Sequence, residues 1–386
     1  MAREFGKNDD ITSRLVNELI PVEIYSTLYY NFLLVFVILV ILQSATVELT
    51  DYANVRIKSN IGLGLLVLII FYMGSRPISG KYFADMSTYA FNFDKYKAGD
   101  PVDLTTNKDL LFEFFSKYCS GIMTVEFYFM VCAALYVIPL YLFAKKVFED
   151  YWFYAFLMLV ISMSFWGYGV NGIRNGLATS VFLLGISRKN FIFSLLIIGS
   201  TYFIHKSMFI VLIAYGITFV HRDYANYLRI WLLAIPSSLL LGGFFETLFL
   251  NLGVFANDKV ADYLLGGGEE FNDQFSSLGF RWDFLLYSAT GVFAGWYFIF
   301  VKKIEDKLYT QVYNIYLLVN AFWVLVIRAS FSNRFAYLSW FLLGVVIIYP
   351  LLKKQLFDKQ HLIIGRIIFL YFAFTYVLNV LLVKAK

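Results

Sequence analysis

The chain has 386 residues, of which 60% are hydrophobic, 20% aromatic and only 15% charged, with a formal net charge of +5. A soluble domain carries about 25% charged residues, so this composition excludes a single soluble core and requires apolar side chains to face lipid. Uninterrupted apolar runs at 31–47, 62–73 and 341–352 also exclude β-barrel strands, which alternate over short lengths. They leave helices, which satisfy their own backbone within hydrocarbon.

Residues 1–27 read as an N-terminal arm of mixed charge. In it Ile11, Leu15 and Leu19 recur every four residues, the spacing of an interfacial helix. The first apolar run begins near Leu28. It is too long for a signal-peptide core and no A-x-A site follows it, so it is expected to stay as a span. A bilayer core about 30 Å thick needs roughly 20 helical residues. Spans are expected near 28–47, 57–75, 122–144, 151–170, 174–187, 190–204, 206–220, 230–250, 281–301, 311–329, 334–352 and 362–383. The fold class is therefore all-α: a polytopic helical membrane protein of about 12 transmembrane helices, with 28–386 as a single membrane domain. The stretch 190–220 is too long for one span and short for two, so its helices must thin the bilayer or sit among others.

Charge decides the count. Short basic loops recur at Arg56 and Lys58, Lys145 and Lys146, Arg188 and Lys189, Arg222 and Arg229, Lys302, Lys303 and Lys307, and Lys353 and Lys354. The positive-inside rule puts all of them in the cytoplasm, which requires 190–220 to cross twice and leaves both termini outside. Two long periplasmic loops result, 76–121 and 251–280. The first holds Arg76, Asp85, Asp94, Asp100, Asp103, Asp109 and Glu113. The second holds a Gly266-Gly267-Gly268 run, read as a hinge, followed by Glu269 and Glu270.

Polar residues converge on the outer ends of the spans. Arg76 ends the second, and Arg174 sits in Asn171-Gly172-Ile173-Arg174-Asn175-Gly176 between the fourth and fifth. His205 and Lys206 join the sixth and seventh, Arg281 opens the ninth, and Arg328 and Arg334 bracket the turn between the tenth and eleventh. Glu126 and Glu246 lie within spans toward the same side. Charges at membrane depth cost several kcal/mol and mark function or a buried pair. An arginine at a helix end also has a plainer use, reaching lipid phosphates, and the two glutamates can simply neutralise arginines. Arg174 stands apart because glycines flank it closely, with Asn171 and Asn175 adding hydrogen-bonding capacity. Cys119 and Cys132 suggest neither a disulfide framework nor a metal site. No D-x-D cluster stands at an outer helix end, so no metal and no cofactor is expected.

The arrangement resembles the EpsG-like, Wzy-type polysaccharide polymerase family. Arg76 followed by Asp85-Met86-Ser87-Thr88-Tyr89 is similar to the family's arginine and D-x-x-x-Y after the second span. Glu113-Phe114-Phe115 resembles its E-x-x-F-type segment. Gly172-Ile173-Arg174-Asn175-Gly176-Leu177-Ala178 resembles its G-V-R-Q-x-x-A motif, and Tyr202-Phe203-Ile204-His205-Lys206-Ser207 its F-H-x-S segment. Arg334-Phe335-Ala336-Tyr337 is a weaker late match. Asn175 replaces a glutamine, Ile204 an aromatic, and Ala84 a glycine or small polar residue.

The resemblance implies a polymerase in the bacterial inner membrane. It would transfer a growing glycan from undecaprenyl diphosphate to a lipid-linked repeat unit on the periplasmic face. Its expected partners are that lipid-linked oligosaccharide, membrane lipid and a chain-length regulator protein, with no nucleic acid. Arginine's planar fork suits a diphosphate, which assigns Arg174 first and Arg76, Arg281 and Arg334 next. The acceptor hydroxyl needs a base, for which His205 and Asp85 are the rivals. Tyr89, Asn175, Glu126 and Arg328 are further candidates, Arg328 as the partner of a glutamate. A flippase or transporter of lipid-linked oligosaccharide fits the span count equally well. However, a transporter would hold its charges near the midplane, whereas these cluster at one face. An O-antigen ligase would use the same donor with another acceptor.

Overall fold

In the computed structural model, residues 20–104, 109–251, 279–329 and 332–382 are described. The arm with Ile11, Leu15 and Leu19, and most of the second long loop with its glycine run, lie outside them. The chain is all-helical among the described residues. The helices are α1 (Val22–Ser44), α2 (Tyr52–Gly74), the single turn α3 (Gly80–Phe83), α4 (Met86–Lys97), α5 (Leu110–Ser120) and α6 (Val125–Phe148). Then come α7 (Trp152–Val160), α8 (Met163–Val170), α9 (Ile173–Ile186), α10 (Phe191–Ile204), α11 (Met208–Val220) and α12 (Tyr224–Asn251). Last are α13 (Trp282–Trp296), α14 (Lys307–Leu325), α15 (Asn333–Lys353) and α16 (Gln360–Tyr376). A π-helical turn extends α13 through Val301, and another extends α16 through Leu381.

Every expected span meets a helix, and the fourth is broken into α7 and α8 at Ile161 and Ser162. Among the described residues, seven stretches are long and apolar enough to cross a membrane, and α9, α10 and α11 are shorter apolar helices. The protein is thus a polytopic helical membrane protein. Residues 190–220 form two helices reversing at His205, as the charge pattern requires. At about 1.5 Å per residue each is only about 20 Å long, yet Ile192, Leu196 and Phe203 on α10 are exposed. Pairs this short facing hydrocarbon call for a locally thin bilayer.

Lipid offers no hydrophobic gain for helix association, so packing and interhelical hydrogen bonds hold such a bundle. Asn320 of α14 does this at the centre. Its Oδ1 accepts from the Trp231 indole at 2.7 Å, and its Nδ2 donates to Ser288 and Ser339 at 3.0 and 2.9 Å. Trp340 adds a bond to Ser288 at 2.7 Å. Four helices, α12 to α15, are tied at one point.

The basic loops gather at one end of the bundle. Lys353 Nζ donates to the Val147 carbonyl at 2.7 Å and Lys302 Nζ to that of Leu356 at 3.4 Å. Lys58 lies 5.1 Å over the Phe153 ring. The other end carries an amphipathic hairpin, α4 and α5. Met86, Tyr89 and Phe93 are the buried stripe of α4, spaced as one helix face requires. Tyr96 closes the hairpin by donating to Glu113 Oε2 at 2.6 Å.

Candidate active site

Asp109 occupies the N-cap position of α5, yet its carboxylate makes no capping bond. It reaches instead to the α10–α11 turn. There the Lys206 backbone N–H donates to Oδ1 at 3.0 Å and His205 Nδ1 lies 2.8 Å from Oδ2. The same Oδ2 lies 2.8 Å from Arg174 Nη1, in the first turn of α9. Glu113, one turn after Asp109, sits 3.7 Å from that nitrogen. The Arg174 guanidinium also stands 5.6 Å from the centre of the Tyr89 ring. A carboxylate from the hairpin thus joins a guanidinium and an imidazole from two separate helix ends.

Asp109 is buried, whereas Arg174 and His205 keep side-chain exposures of 32% and 20%. The arginine and the imidazole are therefore the faces that a ligand can meet. Burial pushes the Asp109 carboxyl up, but the His205 hydrogen bond, the His205 and Arg174 charges and the Lys206 amide outweigh it and hold it below the usual range. Burial and the bond to Glu113 push the Tyr96 phenol up.

The asparagines of the Arg174 motif are already engaged. Asn171 Oδ1 accepts from the Asp85 backbone N–H at 2.9 Å, and Asn175 Oδ1 from the Ser207 hydroxyl at 2.7 Å. They splice the α3–α4 turn and the α10–α11 turn onto the start of α9. Gly176 permits the α8–α9 reversal, because a Cβ there would stand 2.9 Å from the Tyr168 carbonyl oxygen. Ala84 is held at φ +35° beside Asp85, a region where glycine is at ease and alanine is not.

The remaining candidates divide. Asp85 is half-buried at the start of α4, and the Tyr89 N–H bonds its carbonyl at 3.0 Å, so the two lie one turn apart. Arg76 is buried, its guanidinium donates to the Met73 and Val170 carbonyls and it lies 5.2 Å from the centre of the Phe129 ring. Burial lowers its pKa to about 10. Arg281 holds Asp283 in a two-pronged pair, 2.9 and 2.6 Å, over the Phe284 ring. Arg281 and Arg334 both act electrostatically on the Tyr337 hydroxyl, and Tyr337 meets Tyr168 edge-on at 5.4 Å. Arg328 donates to the Leu239 carbonyl at 3.3 Å and its charge acts on Glu246. Glu126 lies in the first turn of α6, half-buried.

His205 and Arg174 thus come together through Asp109, with Tyr89 against Arg174 and Asn175 bonded beside His205 through Ser207, while Asp85 lies one turn from Tyr89. Asp109 was not singled out by the motifs. A signal existed, since Asp109 and Glu113 are one helical turn apart at the head of an amphipathic segment.

A model of the EpsG family matches residues 64–386, which includes every residue of this cluster. The chain belongs to the EpsG family. Comparison with curated proteins and with solved structures gives no match. EpsG membership places the chain among polysaccharide polymerase-type membrane proteins, and Tyr89, Glu113, Arg174 and His205 of the cluster fall on segments that carried the resemblance, whereas Asp109 does not.

Proposed function

We propose that this EpsG-family protein transfers a growing glycan from undecaprenyl diphosphate to the non-reducing end of a lipid-linked repeat unit, on the periplasmic face of the bacterial inner membrane. The observation that carries this reading is the Asp109 carboxylate held between His205 and Arg174. With Nδ1–H donating to Asp109, the His205 Nε2 lone pair is the one free to take a proton. The acceptor hydroxyl attacks the anomeric carbon, its proton passes to Nε2, and the bond from that carbon to the diphosphate oxygen breaks. Asp109 orients the imidazole and stabilises its cation. Arg174 faces the departing diphosphate, where charge-assisted bonds strengthen as negative charge develops. At rest its 3.7 Å contact with Glu113 is the looser of its two, and it is the one a diphosphate would replace. Arg76 supports the fold of the site through its carbonyl contacts, while Arg281, paired with Asp283, and Arg334 lie within electrostatic reach of Tyr337 as a second basic group. Asp85 remains the rival base.

Deletion of the gene followed by gels of surface glycan tests this reading. Loss of the polymer ladder with single-unit product retained is expected. Loss of all surface glycan would instead indicate a flippase or ligase.

A further inference from the structure

At the basic end of the bundle, a cavity of about 820 Å³ opens between the end of α11, the start of α12, the end of α13 and the first turns of α14. It is far from the candidate active site, since α11 begins beside His205 and reaches the cavity with Thr218 and Phe219. Lys307, Thr310, Gln311 and Asn314 line it from one face of α14, the spacing that stacks side chains along a helix. Arg222 and Lys303 stand at its mouth, exposed, with Glu305 beside them. Its acids are partly spent, because Asp306 already accepts from the Tyr309 N–H at 2.8 Å and the Tyr349 hydroxyl at 3.0 Å.

The floor is the informative part. Asn314 is only 2% exposed, and its Oδ1 has no hydrogen-bond partner among the described residues. A buried, unpaired amide oxygen is costly. Neighbouring Gln311 donates to the Thr218 hydroxyl at 3.1 Å, so hydroxyl-type partners already suit this depth. Asn314 lies about 10 Å along α14 from Lys307.

We infer that this cavity is a binding site for a phosphate ester carrying free hydroxyls, with the phosphate at Arg222, Lys303 and Lys307 and a hydroxyl on Asn314. Thr218, Gln311 and Asn314 stand where a lipid would need room for its acyl chains, which favours a soluble sugar phosphate over a lipid headgroup as the source. Phe219, Tyr224 and Phe300 supply the apolar wall against which a sugar ring packs.

The test is thermal unfolding of the purified full-length protein in neutral detergent with four probes: glucose 1-phosphate, inorganic phosphate, glucose and dioctanoyl phosphatidylglycerol. Glucose 1-phosphate is expected to raise Tm saturably and to bind more tightly than phosphate or glucose alone. The exposed double substitution Arg222→Gln with Lys303→Gln is expected to weaken it about tenfold or more. Asn314→Leu is expected to erase the preference for glucose 1-phosphate over inorganic phosphate. Stabilisation by phosphatidylglycerol alone overturns the soluble source. No saturable shift with any probe, or undiminished binding in the double variant, overturns the site.

Discussion

His205 Nδ1 lies 2.8 Å from Asp109 Oδ2 although 96 residues separate them in sequence. A carboxylate on one ring nitrogen fixes the imidazole's orientation and leaves the other nitrogen to do chemistry. Asp109→Asn keeps the shape but removes the charge that supports an imidazolium. Polymerisation of purified lipid-linked repeat units is expected to fall about 10²- to 10⁴-fold. Wild-type turnover per folded protein, with only the protein level reduced, would make Asp109 merely structural.

The same carboxylate has a stability signature. Its pKa is depressed in the folded state, so its contribution is present above the unfolded value, about 3.9, and is lost as pH falls through the folded value. Thermal unfolding of wild type and Asp109→Asn should therefore differ by a constant amount where Asp109 alone is concerned, from neutrality down to about pH 4. The gap should close only below that. A gap that closed near pH 6 would assign the linkage to another group.

The helices were legible in the sequence because lipid forces apolar runs to be long, and the charged loops between them were legible because they alternate. The Arg174 and His205 motifs were legible because each is local. Asp109 was not, since it stood in a loop with many acids, where a carboxylate is solvated by default, and its partners come from α9 and the α10–α11 turn. Engagement of Asn171 and Asn175 by protein was equally invisible, because an amide's partner is a property of the fold. Nor could the sequence tell that Arg76 spends its guanidinium on carbonyls while Arg174 stays half-open.

Topology is directly testable. Lys353 touches Val147 and Lys302 touches Leu356, so loops far apart in sequence share one end. Reporter fusions at Lys146, Lys189, Arg222, Lys303 and Lys354 are expected to report the cytoplasm alike. Opposite sides for Arg222 and Lys303 would break the two-helix crossing of 190–220.

Asp85 and His205 compete for the role of base, and the structure suggests how to separate them. The Asp85 backbone is held by Asn171, so Asp85→Asn changes the carboxylate without releasing the turn. If His205 is the base, Asp85→Asn should shorten the polymer or lower its amount modestly, while His205→Ala reduces the rate about 10²-fold or more. The reverse order would make Asp85 the base, and wild-type activity in Asp85→Asn would remove it from the site.

Arg174 provides the sharpest test of the diphosphate assignment. Its guanidinium meets Asp109 at 2.8 Å, Glu113 at 3.7 Å and the face of Tyr89 at 5.6 Å. A lysine keeps the charge but offers a point donor on a flexible stem, and it cannot present a planar fork to a diphosphate while also holding Asp109. Each charge-assisted bond lost at the transition state is worth about 1.5–3 kcal/mol, or roughly 10- to 150-fold in rate. Arg174→Lys is therefore expected to be nearly as damaging as Arg174→Ala in polymerisation of purified lipid-linked repeat units. Both variants should retain membrane insertion, because Asp109 keeps its bonds to His205 and Lys206. Substitution of Arg76 should lower the amount of folded protein before it lowers turnover, since its bonds are to the Met73 and Val170 carbonyls. Wild-type rates in both Arg174→Ala and His205→Ala would move the chemistry elsewhere in the fold, with the basic group around Tyr337 the next place to look.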